Sequence, residues 1–192
     1  MISVEEFLKS YTKDVDTNAL VSKLEEYRSG MDFSISKINF NEMDKWNFSN
    51  GGDIVHSSGK FFSIRGAEAK NLKTGIVNYQ PVIDQPEQGI LGFVSRVKDG
   101  VVEVLVQAKI EPGNSDKVQY SPTVQATKSN YSGVHGGKKV IYIDDFMDDS
   151  GKVKSRGLQS EHGYKFFKKA NDNVHVHDND SQIVNDNFLW LS

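Results

Sequence analysis

Uncharged polar side chains stand at every second position from 119 to 127, and one more lies in the alternating stretch that precedes it. The set comprises Gln107, Gln119, Ser121, Thr123, Gln125 and Thr127. Amides and hydroxyls both donate and accept hydrogen bonds, which suits a ligand rich in hydroxyl groups. The alternative is a sheet face that simply meets water, as many antiparallel sheets have. The residue types leave both interpretations open.

Four further side chains could handle protons or anions. Tyr131 and His135 stand four apart, just before two glycines, and a phenol and an imidazole can each carry a proton. Arg65 and Arg96 could each grip a phosphate with two parallel hydrogen bonds, or could simply be surface charges. The sequence alone names no partner for any of the four.

Two acidic or histidine-rich tracts could in principle bind a metal ion. One contains Asp144, Asp145, Asp148 and Asp149, and the other is the run 175–180, which reads HVHDND. The first lacks the spacing of a calcium loop, and a solvated turn explains the second. The chain has no cysteine, which excludes thiolate ligands and disulfides. We therefore predict no metal site.

The elements that would position these residues are mainly strands. From 101 to 111 and from 119 to 127, apolar and polar residues alternate, which predicts two strands that each bury one face. The turn at 112–114 would let them pair as antiparallel neighbours. A strand at 90–97 would lead through the tight turn 98–100 into the first of them. Shorter strands are predicted at 53–56 and 61–65.

Helices are predicted at the N-terminus and late in the chain. Residues 3–29 show two short amphipathic patterns; Asp16 or Thr17 could cap the second, and Gly30 would end it. The segment 128–137 suggests a turn of helix or a loop, 140–146 a strand or short helix, and 159–170 a helix with aromatic residues to bury. The expected division is an N-terminal helical segment (1–30) and a main unit (31–192) in one domain.

Composition narrows the class of protein. The chain has 192 residues, enough for one domain with its own core, and a net charge of -3, which argues against a nucleic-acid partner. No run approaches the length of a membrane span, and the first residues do not resemble a signal peptide. A soluble cytoplasmic protein is expected. The motifs of P-loop, dinucleotide-binding, α/β-hydrolase and zinc-protease enzymes are absent from the sequence.

Seven blocks of sequence, in order and with few gaps, carry a resemblance to a known family. They are residues 56–64 (HSSGKFFSI), 80–93 (QPVIDQPEQGILGF), 107–114 (QAKIEPGN), 118–131 (VQYSPTVQATKSNY), 134–137 (VHGG), 158–173 (LQSEHGYKFFKKANDN) and 187–190 (NFLW). Together they resemble the NDP-hexose 2,3-dehydratase family of deoxysugar biosynthesis.

This resemblance implies a fold and a reaction. The fold would be α+β, a Nudix-like mixed β-sheet with flanking helices but without the Nudix catalytic helix. The substrate would be a nucleotide-activated 4-keto-6-deoxyhexose, typically dTDP-linked. Loss of the C3 proton and the C2 hydroxyl would give a 3,4-diketo-2,6-dideoxy sugar, which passes to a C3 ketoreductase. Neither a metal nor a redox cofactor is implied.

The matching blocks also supply roles for named residues. Lys109, with Gln107 and Gln125, would stabilise the negative charge that develops on oxygen. Glu111, Tyr131 and His135 are the candidates for proton transfer, and Arg65, Arg96 and Lys128 are those for the diphosphate. The remaining substrate-binding candidates are Gln119, Ser121, Thr123, Thr127 and Asn130.

Members of the family usually carry two copies of this unit, whereas the sequence here contains one. The expectation is a single-unit enzyme that pairs as a homodimer, which would restore the two-unit arrangement. An alternative is a catalytically inactive nucleotide-sugar-binding module, or a half-enzyme that needs a second chain. A Nudix-like hydrolase would require a carboxylate-rich helix that the sequence does not show.

Overall fold

The structure, a computed structural model, describes residue 5 and residues 16–131 and 139–192. Its helices are α1 (Thr17–Ser29) and α2 (Lys128–Tyr131). Its strands are β1 (Trp46–Phe48), β2 (Ile54–His56), β3 (Ser63–Lys70), β4 (Val77–Asp84), β5 (Gly89–Lys98), β6 (Val101–Ile110), β7 (Val118–Pro122), β8 (Val124–Thr127), β9 (Val153–Ser160), β10 (Ala170–His177) and β11 (Phe188–Leu191). Short 3-10 turns occupy Phe40–Glu42, Ile143–Phe146 and Asp148–Ser150. The mostly-β content with few helices confirms the α+β class.

The chain forms two compact units. One comprises Met1–Ile35, Gly89–Gly157 and Asp172–Ser192, and the other comprises Ser36–Gln88 and Leu158–Asn171. Among the described residues, no helix is both long enough and apolar enough to cross a membrane.

A seven-stranded mixed sheet dominates the first unit. Its main path runs β11-β6-β5-β10-β9, with β7 paired to β6 and β8 paired to β5. The predicted tight turn joins β5 to β6, and its Asp99 and Gly100 have φ angles of 51° and 74°. Two consecutive positive φ values are typical of a turn that matches the twist of a hairpin. Strand β10 runs parallel to β5, whereas β6, β7, β8 and β11 make antiparallel pairs.

The β5–β6 hairpin opens halfway along its length, and the β7–β8 segment fills the gap. Pairing between β5 and β6 stops at Val94 and Leu105, after which β7 pairs with β6 and β8 with β5. Thr123 joins β7 to β8 at this fork and is 2% exposed. Its hydroxyl donates to the Leu105 carbonyl and accepts the Val94 N–H at 3.0 Å. One side chain therefore satisfies the backbone groups on both sides of the fork.

The core lies on one face of this sheet. Its buried members are Ile90, Val94, Leu105, Val124, Ala126, Ile143, Phe146, Val174, Val176 and Phe188. Phe146 stands on a 3-10 turn and packs so closely over Gly92 that a Cβ there would overlap both its ring and the Val174 carbonyl oxygen. The glycine is required by this close approach of ring, sheet and neighbouring strand.

Helix α1 lies against the opposite face, next to β7. Asp16 caps it by accepting the Ala19 N–H at 3.0 Å, and Gly30 is its C-cap, as the sequence predicts. Tyr120 donates from its hydroxyl to the Leu20 carbonyl at 3.0 Å, while Arg28 Nη2 donates to the Val118 carbonyl at 2.9 Å. The second predicted N-terminal helix is thereby confirmed. The first, apart from residue 5, lies outside the described residues.

The second unit is built on a four-stranded antiparallel sheet in the order β1-β2-β3-β4. The segment 159–170, which belongs to this unit, does not form the predicted helix. Gln159 and Ser160 end β9, the next residues turn, and Ala170 begins β10. The backbone there bonds instead to β4, since Ile83 N–H donates to Lys165 at 2.7 Å and Phe167 N–H donates to Ile83 at 2.9 Å.

Candidate functional site

Three residues from the predicted site meet at the open end of β6. Lys109 Nζ lies 3.0 Å from Glu111 Oε1, and the Gln125 side-chain amide lies 3.3 Å from the same oxygen. Lys109 Nζ also lies 3.5 Å from the Gln125 carbonyl oxygen. An ammonium, a carboxylate and an amide in contact could bind a polar ligand, stabilise an oxyanion or exchange a proton.

The register places three further predicted residues beside this cluster. Gln119 is the cross-strand partner of Lys109, and Ser121 is that of Gln107. Directly opposed residues of an antiparallel pair point to the same face. Two of these side chains already make hydrogen bonds within the protein. Gln119 Nε2 donates to Ser115 Oγ at 3.1 Å, and Ser121 Oγ donates to the Gln107 carbonyl at 3.3 Å.

The polar face expected along 119–127 changes direction at Thr123. Val118 is buried but lies outside the core to which Val124 and Ala126 belong. Gln125 and Thr127, which alternate with the two core residues, therefore point away from that core. Thr127 Oγ1 lies 3.2 Å from Ser129 Oγ at the start of α2. Strict alternation in sequence does not continue as one flat face here, because the chain moves from β6 to β5.

Both arginines predicted for the diphosphate have carboxylate partners. Arg96 Nε lies 2.5 Å from Glu103 Oε2, and its guanidinium carbon stacks 4.0 Å from the centre of the Trp190 ring. Arg65 belongs to the other unit, where its Nε lies 3.2 Å from an oxygen of Asp84.

The remaining predicted residues lie on or after α2. Lys128 and Asn130 are exposed, and Tyr131 is half-buried and packs against the core. His135 lies outside the described residues.

A second cluster joins residues that the sequence analysis did not bring together. The hydroxyl oxygen of Ser95 lies 2.7 Å from His175 Nε2 and 3.2 Å from His177 Nδ1. Ser95 is 2% exposed, and the same oxygen lies 3.3 Å from the Val176 carbonyl. The parallel register of β5 and β10 sets His177 beside Ser95 and His175 beside Phe93. A buried hydroxyl thus bridges two imidazoles.

Burial lowers the pKa of both histidines. The pKa of His175 falls below its ordinary value of 6.5 mainly through loss of hydration, with smaller effects of His177 and of the nearby Lys154 ammonium. The pKa of His177 is lowered by burial and then by Lys154. Both rings are therefore neutral at pH 7, and a neutral imidazole can accept a proton at one nitrogen and donate from the other.

An ion-pair network holds the end of β10 where these histidines lie. Lys152 Nζ contacts Asp145 Oδ1 at 2.6 Å and Asp178 Oδ2 at 2.8 Å, and the hydrogen bonds to these two carboxylates raise the pKa of Lys152. Asp178 N–H in turn donates to the Ser95 carbonyl at 2.9 Å. Within the ranges that the structure describes, no three histidine or carboxylate side chains gather as a metal site.

The sequence analysis explained His175 and His177 as part of a solvated turn, whereas both are half-buried on β10, and it did not single out Ser95. Ser95 sits in an apolar run, 80 positions before His175. Only the pairing of β5 with β10 connects them. The one available signal was a serine at an otherwise apolar buried position, which generally needs a hydrogen-bond partner.

Comparison with known proteins agrees with the blocks identified in the sequence. Residues 17–192 match the family described as NDP-hexose 2,3-dehydratase. The chain is 43% identical over 175 residues to a protein from Amycolatopsis orientalis, a match that covers 87% of this chain and 37% of that relative. It is 39% identical over 163 residues to one from Saccharopolyspora spinosa, covering 83% of this chain and 34% of the relative.

A third relative, from Streptomyces violaceoruber, is 45% identical over 143 residues, covering 73% of this chain and 32% of the relative. All three relatives are named dTDP-4-dehydro-6-deoxy-alpha-D-glucopyranose 2,3-dehydratase. The chain spans about a third of the length of these curated relatives. The match over residues 17–192 establishes that the chain belongs to the NDP-hexose 2,3-dehydratase family.

Proposed function

We propose that this chain removes water across C2 and C3 of a nucleotide-activated 4-keto-6-deoxyhexose, with the dTDP-linked glucose derivative as substrate. The observation that carries the proposal is family membership across residues 17–192, together with three relatives named for this reaction. The product is a 3,4-diketo-2,6-dideoxy sugar, which a C3 ketoreductase would consume.

The reaction makes two demands on the protein. The C4 ketone acidifies the C3 proton, so a base can remove it while a donor stabilises the negative charge on the ketone oxygen. The C2 hydroxyl then leaves as water, which requires an acid. The electron pair of the C3–H bond becomes the C2=C3 double bond, and the resulting enol rearranges to the diketone. No electron enters or leaves, so the step needs no redox partner.

The polar cluster at the end of β6 supports a binding role for residues predicted from the sequence. Lys109, with Gln107 and Gln125, would face the ketone oxygen, since the ammonium and the amide can both donate hydrogen bonds. Glu111, at 3.0 Å from Lys109, is a proton-transfer candidate from the sequence, as are Tyr131 and His135.

Among the cations proposed for the diphosphate, Lys128 is exposed at the start of α2, whereas Arg65 and Arg96 have carboxylate partners. We therefore propose Lys128 as the main diphosphate contact. The remaining proposed contacts to the sugar are Gln119, Ser121, Thr127 and Asn130. Thr123, which the sequence also suggested, is 2% exposed and its hydroxyl bonds the backbone of Val94 and Leu105, so it holds the fork instead.

The fold and assembly complete the proposal. The mixed sheet supports a Nudix-like core, and a C2 homodimer would bring two copies of the unit together. The proposed setting is the cytoplasm, where nucleotide sugars are made and used. The rival candidate is an inactive nucleotide-sugar-binding module or half-enzyme, which would bind the same ligand without turning it over.

The test is to incubate the purified chain with dTDP-4-keto-6-deoxyglucose in D₂O without added metal, and to follow the sugar by NMR and mass spectrometry. Loss of water and deuterium uptake at C2, absent from a sample without protein, would establish the dehydratase. Binding of the nucleotide sugar without any change in the sugar would refute catalysis by this chain and support the rival. Neither binding nor turnover would reject both.

A further inference from the structure

We infer that His175, Ser95 and His177 form a proton relay that supplies both the base and the acid of the dehydration. This inference rests on the proposed function but gives the reaction a different site. Ser95 pairs with Val104 and so lies on the opposite face of the sheet from Gln107 and Lys109. The relay therefore replaces Glu111, Tyr131 and His135 as acid–base groups, and it also moves the ketone oxygen away from Lys109 and Gln107. The three relay residues all belong to the first compact unit and lie on the adjacent strands β5 and β10.

The geometry of the relay leaves one nitrogen of each ring for a substrate. Ser95 Oγ is within hydrogen-bond distance of His175 Nε2 and His177 Nδ1, at 2.7 and 3.2 Å. The nitrogens that do not face Ser95 are therefore His175 Nδ1 and His177 Nε2. Residues two apart on a strand point to the same face, with Cα atoms about 6.5 Å apart. Two such rings can address neighbouring carbons of one sugar.

Proton transfer through this chain balances without any charged intermediate on the protein. His175 Nδ1 takes the C3 proton, and the Nε2 proton of the same ring moves to Ser95 Oγ. The hydroxyl proton of Ser95 moves to His177 Nδ1, and the Nε2 proton of His177 passes to the C2 oxygen, which leaves as water. The C3–H electron pair forms the C2=C3 bond, and the C2–O pair leaves with the oxygen. Exchange with solvent at the half-buried rings restores the starting tautomers.

The surroundings of the rings suit a nucleotide sugar. Asn173 shares their face of β10 and offers an amide for sugar hydroxyls. Phe93, which pairs with His175, is 41% exposed and presents an aromatic surface for stacking. Lys154 is close enough to lower the pKa of both histidines, so at this site its ammonium, rather than that of Lys128, would hold the diphosphate.

The protonation state of the rings agrees with this role. The relay requires two neutral imidazoles at pH 7, and burial together with Lys154 keeps their pKa values below the ordinary 6.5. Two influences raise the pKa of His177 against this effect: the Asp178 carboxylate, which is paired to Lys152 at 2.8 Å, and a hydrogen bond between the ring and the Ser95 backbone. The Ser95 hydroxyl therefore lies between two neutral imidazoles, each of which can accept a proton at one nitrogen and donate a proton from the other.

Turnover of variants tests the relay. His175→Gln and His177→Gln are each expected to lower kcat about 100-fold or more while binding of dTDP-sugar changes less than about threefold, because general acid–base catalysis contributes at this scale. The double variant should be little worse than either single one, since residues that act as a unit are not additive. Ser95→Ala should lower kcat about tenfold or more by breaking the bridge. A kcat within threefold of the native chain for either histidine variant would overturn the relay.

The chain contains a matched control in its other unit. His56 Nδ1 lies 2.7 Å from Ser58 Oγ, the same type of contact at the same distance as the bridge to His175, but with one imidazole only. Ser58→Ala and His56→Gln are therefore expected to leave kcat unchanged. If they lower kcat as much as the Ser95 and His175 variants do, the loss is not specific to the relay and the assignment fails.

A second readout separates failure of the relay from failure of the proposed reaction. Nitrogen NMR of labelled histidines reports the tautomer and pKa of each ring without substrate. Ser95→Ala is expected to change both His175 and His177, whereas Ser58→Ala changes only His56. If the native chain binds the nucleotide sugar without turning it over, the proposed reaction is rejected. The ring signals then still show whether Ser95 bridges His175 and His177. Unchanged signals of both rings in Ser95→Ala overturn the relay even if the native chain is active.

Discussion

Replacing Thr123 by valine should destabilise the protein far more than its small change in shape would suggest. Valine has nearly the volume of threonine, but it lacks the hydroxyl that bonds the Val94 N–H and the Leu105 carbonyl. Both of these residues are 0% exposed, so water cannot replace the lost partner. Each unpaired backbone group costs about 1–3 kcal/mol, and the gain from burying a methyl in place of a hydroxyl is about 1 kcal/mol. The expected net loss in the free energy of unfolding is about 3 kcal/mol.

Urea unfolding followed by tryptophan fluorescence would measure this loss. With a denaturant slope of about 2 kcal/mol per molar, typical of a small protein, the unfolding midpoint should fall by about 1.5 M. Thr123→Ser keeps the hydroxyl and removes one methyl, so it should cost only about 1 kcal/mol. Thr127→Val, on the same segment but half-buried, should cost less than about 1 kcal/mol because its hydroxyl bonds the Ser129 side chain rather than buried backbone groups.

Comparing the stability of Thr123→Ser with that of Thr123→Val shows whether the hydroxyl or the packing volume matters more. If the hydroxyl holds the fork together, serine is tolerated better than valine. If packing volume matters more, valine is tolerated better than serine. A valine variant as stable as the native chain would show that the fork does not depend on this hydroxyl.

Two further changes follow from the core and the histidines. Gly92→Ala should destabilise the chain by about 3 kcal/mol or prevent folding, because a Cβ would overlap the Phe146 ring and the Val174 backbone carbonyl. A variant that is expressed and unfolds at the native midpoint in urea would contradict this close packing. The free energy of unfolding should fall as the pH drops below 6.5 towards the lowered folded-state pKa values of His175 and His177, because the unfolded chain binds protons more tightly in that window. Denaturation at about pH 7.5 and pH 5.5 measures this loss, and the loss should be smaller in the His175→Gln, His177→Gln double variant; an equal loss in that variant would assign it to other groups.

Strands with strong alternation were the most predictable part of the fold. The predicted strands at 90–97 and 101–111 correspond to β5 and β6, and the turn between them has the backbone geometry that its glycine indicates. These elements follow from local patterns, since a tight turn and a two-residue period need no information from elsewhere in the chain.

Predictions that depended on long-range pairing were less successful. The segment 159–170 has aromatic residues that resemble a helix face, yet Tyr164 is 65% exposed and the backbone bonds to Ile83. The predicted single strand at 119–127 divides at Thr123, because it leaves β6 for β5. Neither outcome can be seen in a window of ten residues, because each is decided by which distant edge accepts the backbone hydrogen bonds.

The residues of the candidate site could likewise be predicted only where local sequence was enough. Lys109, Glu111 and Gln125 were proposed from the sequence and do meet in space. Ser95 was not proposed, since its contact with His175 exists only through the parallel pairing of β5 and β10.

The fork at Thr123 has a consequence for the order in which the sheet assembles. A hairpin closed by a tight turn can form within microseconds, before any contact between distant residues. If β5 and β6 continued to pair beyond Val94 and Leu105 at that stage, they would occupy the edges that β7 and β8 need. Such an overclosed hairpin would have to reopen before the native sheet could form. The Thr123 hydroxyl bonds Val94 and Leu105 where the pairing ends, so it would favour the reopened hairpin over the overclosed one.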